Sequence, residues 1–127
     1  MGAFSFGKDE RLRSEKLIKE LFTRGSSFSL YPFRIVSMPN PSSAITHHQV
    51  LFSVPSKNFK LAVERNKIRR RSREAYRLSK NLLASEKPLI IGFVYTAKRI
   101  ESFSLLQEAM PKILAQINKR YANAKMA

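Results

Sequence analysis

The sequence predicts an α+β fold: a mixed four-stranded sheet packed with three helices, in the order helix, strands, helix, strand, helix. Three observations predict it. Apolar residues recur at helical spacing in three separate segments. Runs rich in β-formers lie between them. One of these runs, LIIGFVYT at 89–96, is almost wholly apolar and stands between the two longer helical segments. A strand that feeds a helix and then another strand, beside further strands, builds a sheet with helices packed on it. At 127 residues the chain has the length of one domain, and with 43% hydrophobic residues it can bury a real core.

Residues 1–13 are polar, basic and without period, and read as a flexible arm. A single domain is expected over 14–119. Ser14 is the N-cap candidate for a short amphipathic helix bearing Leu17, Ile18, Leu21 and Phe22, with Arg24 in its last turn and Gly25 as its stop. Residues 26–38 are rich in β-formers but interrupted by Pro32, so a short strand or bend should precede a strand over 33–38. Pro39–Thr46 reads as a loop. A strand over 48–54 follows, apolar enough to be interior, and Pro55 ends it. A basic connection at 56–61 leads into the longest helix, 62–83, whose inner stripe carries Ile68, Ser72, Ala75 and Leu82, with Leu78 nearby. After a turn at 84–87, Pro88 opens the apolar strand. Ser102 or Ser104 caps the last helix, and Ser104 with Gln107 spells a capping box. Leu106, Met110, Ile113, Leu114 and Ile117 form its apolar stripe, and Pro111 should bend it or mark a late start. Residues 120–127 are expected to fray.

Charge carries the functional signal. There are 24 Lys and Arg against 9 Asp and Glu, a formal net charge of +15. A compact chain with that load repels itself unless a polyanion offsets it. Between Lys57 and Lys80 stand ten bases against two acids, a net of +8. Arg69, Arg73, Arg77 and Lys80 share one helical face, Arg65 extends it by a turn and Arg70 flanks it. Like charges at that spacing cost a few tenths of a kcal/mol per pair. Guanidinium forks match phosphate oxygens, and the Asn66 amide among them can reach a sugar or a base edge. Phe28, Tyr31, Phe33 and Phe59 lie near the strands as candidates for stacking on unpaired bases, although Phe33 and Phe52 read equally well as core.

Several function classes are disfavoured. The chain has no cysteine, hence no disulfide, thiol nucleophile or zinc-finger ligand set. No apolar run approaches the roughly 20 residues that span a bilayer, and Met1–Phe6 lacks the pattern of a signal peptide, so a cytoplasmic protein without a membrane partner is expected. His47 and His48 are adjacent and make a poor metal pair. Asp9 is the single aspartate, the glutamates are scattered, and no phosphate-loop motif occurs. No catalytic residue, metal ligand or protein-bound cofactor is therefore expected.

The stretch AVERNKIRRRSREAYR, Ala62–Arg77, resembles the signature of the bacterial ribonuclease P protein component, an Arg-Asn-Arg-x-x-Arg run preceded by Ala-Val. Arg65, Asn66 and Arg70 match it, while Lys67 and Arg69 replace the more usual Arg and Lys with charge kept. The strand VLFSVPSK before it, the helix ending LFTRG and the strand LIIGFVYT stand where that family has them. The resemblance spans about residues 11–118. Glycines common in relatives near Phe59 and Leu51, and an aromatic near Val36, are absent here.

The resemblance implies a βαβ unit of left-handed crossover, against the usual handedness. It implies a protein subunit that helps a catalytic RNA, with Mg²⁺ serving the RNA-catalysed step, to remove the 5′ leader of precursor tRNA. The RNA subunit would be contacted by Arg65, Asn66, Lys67, Arg69, Arg70, Arg73 and Arg77. The leader would be held by Ile18, Phe22, Phe33, Lys57, Lys60, Arg65 and Arg69. No obligate protein partner is implied. A ribosomal or ribosome-assembly protein would have a similar composition and is the alternative. A DNA-binding regulator is less well supported, because no helix-turn-helix pair precedes the basic helix.

Overall fold

The computed structural model describes residues 7–42 and 44–126, with side chains as far as Tyr121. Helix α1 (Glu15–Arg24) is followed by strands β1 (Ser26–Leu30), β2 (Phe33–Pro39) and β3 (Gln49–Ser53), helix α2 (Ala62–Ser79), strand β4 (Leu89–Tyr95) and helix α3 (Phe103–Met126). The sheet order is β1-β2-β4-β3. β1 and β2 form a hairpin across Tyr31–Pro32, β2 runs antiparallel to β4, and β3 runs parallel to β4. The parallel pair needs a crossover, and α2 supplies it.

Strand alternation assigns the two faces of the sheet. Phe33, Ile35, Val50, Phe52, Leu89, Ile91, Phe93 and Tyr95 join Ile68, Ala75 and Tyr76 of α2 and Leu106, Met110, Ile113, Leu114 and Ile117 of α3 in one large core. Val36 and Ile90 point the other way, into a smaller cluster with Leu12 and Leu21. The predicted stripe of α3 is buried as a set. Ser14 Oγ accepts from the Leu17 amide at 3.3 Å and caps α1. Gly25 ends that helix in an extended conformation, φ −70°, so left-handed freedom is not the reason for a glycine. A Cβ there would stand 2.5 Å from the Leu21 carbonyl oxygen and 2.7 Å from Val36 Cγ1, so close approach is.

Four expectations change. Residues 7–13 are not a free arm: Lys8–Glu10 make a 3-10 turn, Arg11 bridges to Val50 of β3, and Leu12 is 3% exposed. The lone apolar residue between two arginines docks its whole segment; residues 1–6 lie outside the described residues. The α-helical part of α2 stops at Ser79, and a 3-10 turn covers Lys80–Leu82. Its tighter winding turns Leu82 outward and buries Leu83 in its place. Ser102 is the cap of α3, its Oγ accepting from the Leu105 amide at 3.2 Å, and Ser104 falls inside the first turn. The same helix starts at Phe103, so Pro111 lies inside it and does not mark a late start.

Candidate nucleic-acid interface

The core register of α2 decides which of its bases face outward. Ile68, Ser72, Ala75, Tyr76 and Ser79 are buried, and Ser72 Oγ donates to the Ile68 carbonyl at 2.8 Å, which satisfies the hydroxyl within the helix. Asn66, Lys67 and Arg70 on the opposite side are exposed.

The arginines are not equivalent. Arg65 Nη1 donates to the carbonyls of Phe59 at 2.7 Å and Lys60 at 2.9 Å, pinning the connection from β3 onto the helix. Arg69 donates to Asn66 Oδ1 at 2.8 Å, which braces two family-like residues against each other. Arg77 forms an i,i+3 pair with Glu74. Arg71 turns to the Glu101 carbonyl at 2.7 Å and belongs to the scaffold.

Arg73 is the electrostatic centre. With Arg11, Arg70, Arg77 and Glu74 it lines a cavity of about 210 Å³. With Arg11, Arg13, Leu12 and β3 it lines another of about 230 Å³. Burial, then the neighbouring guanidinium groups of Arg11 and Arg69, push its pKa below the ordinary arginine value. Arg11 and Arg13 thus join the basic face. The sequence offered only Leu12 as a sign that they are held there, a signal too slight to separate a docked segment from a mobile one.

A second surface lies on the sheet face that α1 covers in part. Ile18 is half-buried and Phe22 is 40% exposed. Phe22 rests over Gly92 of β4, where a Cβ would come within 3.3 Å of both Phe22 Cζ and Leu21 Cδ2. The glycine therefore lets α1 settle close to the strand. Along the same face, Arg34, Val94 and Ser53 lie side by side across β2, β4 and β3, with Arg34 exposed and the other two half-buried. The connection bearing the exposed Lys57 and Lys60 leaves β3 from this end.

Phe33 does not join these residues. It is 2% exposed on the opposite face, edge-on to Phe93 at 5.6 Å and to Tyr95 at 5.7 Å between ring centroids. Its strand parity matches Ile35 rather than Arg34, and this removes it from any accessible leader surface. Phe59 is likewise core, 5% exposed and 5.8 Å from the Tyr95 ring. Phe28 is half-buried beneath the Arg120 guanidinium, and the exposed Tyr31 donates its hydroxyl to Glu101. Among the described residues no group of three or more His, Cys, Asp or Glu side chains could hold a metal ion. No helix among them is long and apolar enough to cross a membrane.

A sequence profile of the family described as Ribonuclease P matches residues 6–118. The chain is 34% identical over 119 residues to the Ribonuclease P protein component of Porphyromonas gingivalis strain W83, covering 90% of this chain and 87% of that one. The chain belongs to the ribonuclease P protein component family. A relative in Vibrio cholerae O395 is 29% identical over 120 residues, covering 94% of each chain. The fold is that of the RNase P proteins of Staphylococcus aureus (TM-score 0.71, 21% identity, 88% of this chain and 97% of that one) and Thermotoga maritima (TM-score 0.70, 23% identity, 84% and 96%). As the protein component of ribonuclease P, the chain assists the RNA subunit in removing the 5′ leader from precursor tRNA, and the RNA carries the active site. The family match sets aside the ribosomal alternative.

Proposed function

We propose that the chain divides its work between two surfaces. The outward side of α2, with Asn66, Lys67, Arg69, Arg70, Arg73 and Arg77 and joined by Arg11 and Arg13, docks on the ribonuclease P RNA. The partly open sheet face, with Ile18 and Phe22 beside Arg34 and the exposed Lys57 and Lys60, holds the extended leader of precursor tRNA. Arg65 contributes by fixing the basic connection in place. The observation that carries this reading is the cavity where four arginines meet one glutamate. Such a cluster raises the energy of the free protein, and phosphate oxygens that bind guanidinium bidentately relieve it. The protein makes and breaks no bond. It lowers repulsion between two polyanions, so the RNA's Mg²⁺ sites and the substrate are both held more tightly. The cytoplasm is the place of this reaction.

The test is reconstitution with the ribonuclease P RNA of the same genome at physiological Mg²⁺. The protein alone should leave precursor tRNA intact, and its addition to the RNA should raise leader removal. Site-specific cleavage by RNA-free protein would overturn the reading. Binding across a KCl series should follow a log–log slope of roughly six to eight, and a slope near one would rule out the basic face as the main contact.

A further inference from the structure

The first turn of α2 presents an apolar tip that the fold does not use. Leu61, the N-cap residue, is 60% exposed, and Val63 in the first turn is 71% exposed. Ala62 between them is exposed as well. The Leu61 carbonyl starts the helix by accepting from the amides of Glu64 at 3.1 Å and Arg65 at 3.2 Å, but its side chain caps nothing. Serine, threonine, aspartate or asparagine would stabilise this position, and a β-branched residue in the first turn is a weaker helix former than alanine or lysine. Neither side chain serves the helix where it stands.

Their surroundings identify the occupant. Val63, Asn66, Lys67 and Arg70 fall on one stripe at helical spacing, and Lys60 precedes the tip; all are exposed. The apolar patch is therefore continuous with the basic stripe. A second copy of the chain, at net charge +15, would bring a like-charged rim against this one. A polyanion that also offers apolar surface matches both parts, and RNA does so wherever a base or ribose face is free of helical stacking. We infer that Leu61 and Val63 form an apolar contact with an unstacked nucleoside of the ribonuclease P RNA, beside the phosphates held by the stripe. The contact rests on the proposal that α2 docks on this RNA, and it adds a component of affinity that salt does not screen.

The test is the double variant L61S/V63S, which leaves the net charge unchanged. Its dissociation constant for the ribonuclease P RNA is measured from low to high KCl beside wild type and R70A, with thermal melts of all three. The double variant should bind roughly tenfold more weakly at every salt concentration, the loss expected when two apolar side chains no longer leave water. Its salt slope should equal that of wild type, and its melting temperature should not fall, because serine is a better N-cap than leucine. R70A should weaken binding and lower the slope by about one. If R70A behaves so and L61S/V63S binds like wild type, the tip makes no contact and the inference is overturned. If R70A also changes nothing, the docking reading itself fails. A changed slope in the double variant, or a wild-type dimer in sedimentation that the variant abolishes, would equally overturn the inference. Should the double variant melt early, V63S alone, with its side chain clear of the core, is held to the same criteria.

Discussion

The two faces of the sheet use the same kinds of residue for opposite purposes. On the α2–α3 side, Phe52 stacks on Phe93 at 5.0 Å, Phe33 packs edge-on to Phe93, and Tyr76 closes the layer. On the α1 side, Val36 and Ile90 are buried by Leu12 and Leu21, but Phe22 stays 40% exposed and Arg34 exposed. Fully burying a large apolar side chain contributes about 1.5–3 kcal/mol. The closed face can therefore supply most of the folding free energy, and this leaves the other face free to keep an aromatic ring partly in water. A phenylalanine is thus buried or exposed by the parity of its strand or the rim of its helix, not by its type.

The largest effect that could break this comparison is on stability. F93A should cost about 3–5 kcal/mol, as large deletions in closed cores do. F22A should cost no more than about 1–2 kcal/mol, since much of that ring is already in water. Denaturant titrations would show it, and equal losses would mean that the two faces are built alike. Next come the arginines. R65A/R69A should weaken assembly with the RNA by about 2 kcal/mol or more, through the charge-assisted bonds to phosphate lost with Arg69 and through a basic connection that Arg65 no longer holds in place. Because Arg65 holds the Phe59 and Lys60 carbonyls, this double variant should also lose about 1–2 kcal/mol of stability. R99A should barely affect assembly: Arg99 is 81% exposed in its side chain and pairs with Glu101, away from α2's outward face. Equal affinity losses for the two would mean that a diffuse field, not a docking face, holds the RNA.

Smaller effects sharpen the comparison. G92A places a methyl at 3.3 Å from both Leu21 Cδ2 and Phe22 Cζ. It should cost up to about 1–2 kcal/mol and shift the ring, and G92A/F22L should recover part of the loss in melts. His48 should give the smallest effect. Burial, then the adjacent His47, lowers its pKa from 6.5, and its Nδ1 accepts from the Leu89 amide at 3.0 Å, which requires that nitrogen unprotonated. The folded state therefore binds its proton later than the unfolded chain. The stability it contributes is complete above about pH 6.5 and is lost as pH falls toward the lower folded value. Melting temperatures at about pH 7.5 and 5.5 should fall less in H48N, whose side-chain oxygen can accept the same amide and does not titrate.

Much of this was legible in the sequence because period and charge are strong signals. The strands over 33–38 and 89–96, the stripe of α3 and the basic run on α2 depend on spacing alone, and the structure keeps them. What was not legible depended on partners distant in the chain. Leu12 gives no periodic signal, so the docking of Arg11 and Arg13 against β3 and Arg73 could not be read. Phe33 could be assigned to a face only once its pairing with Tyr95 was known, since one step of register exchanges the faces. Arg65 looks like any outward base until the fold of the β3–α2 connection brings two carbonyls to its guanidinium. Leu82 continues the α-helical stripe on paper, but the helix tightens before reaching it.

The division of labour between α2 and the open sheet face is tested most directly by one ratio: the holoenzyme's affinity for precursor tRNA over its affinity for mature tRNA, measured at fixed salt beside the assembly constant. The account predicts that F22A lowers the ratio toward one and leaves assembly unchanged, while R70A weakens assembly and, once the complex is formed at high protein concentration, leaves the ratio unchanged. A ratio that stays at its wild-type value in F22A, or falls equally in R70A, would contradict it.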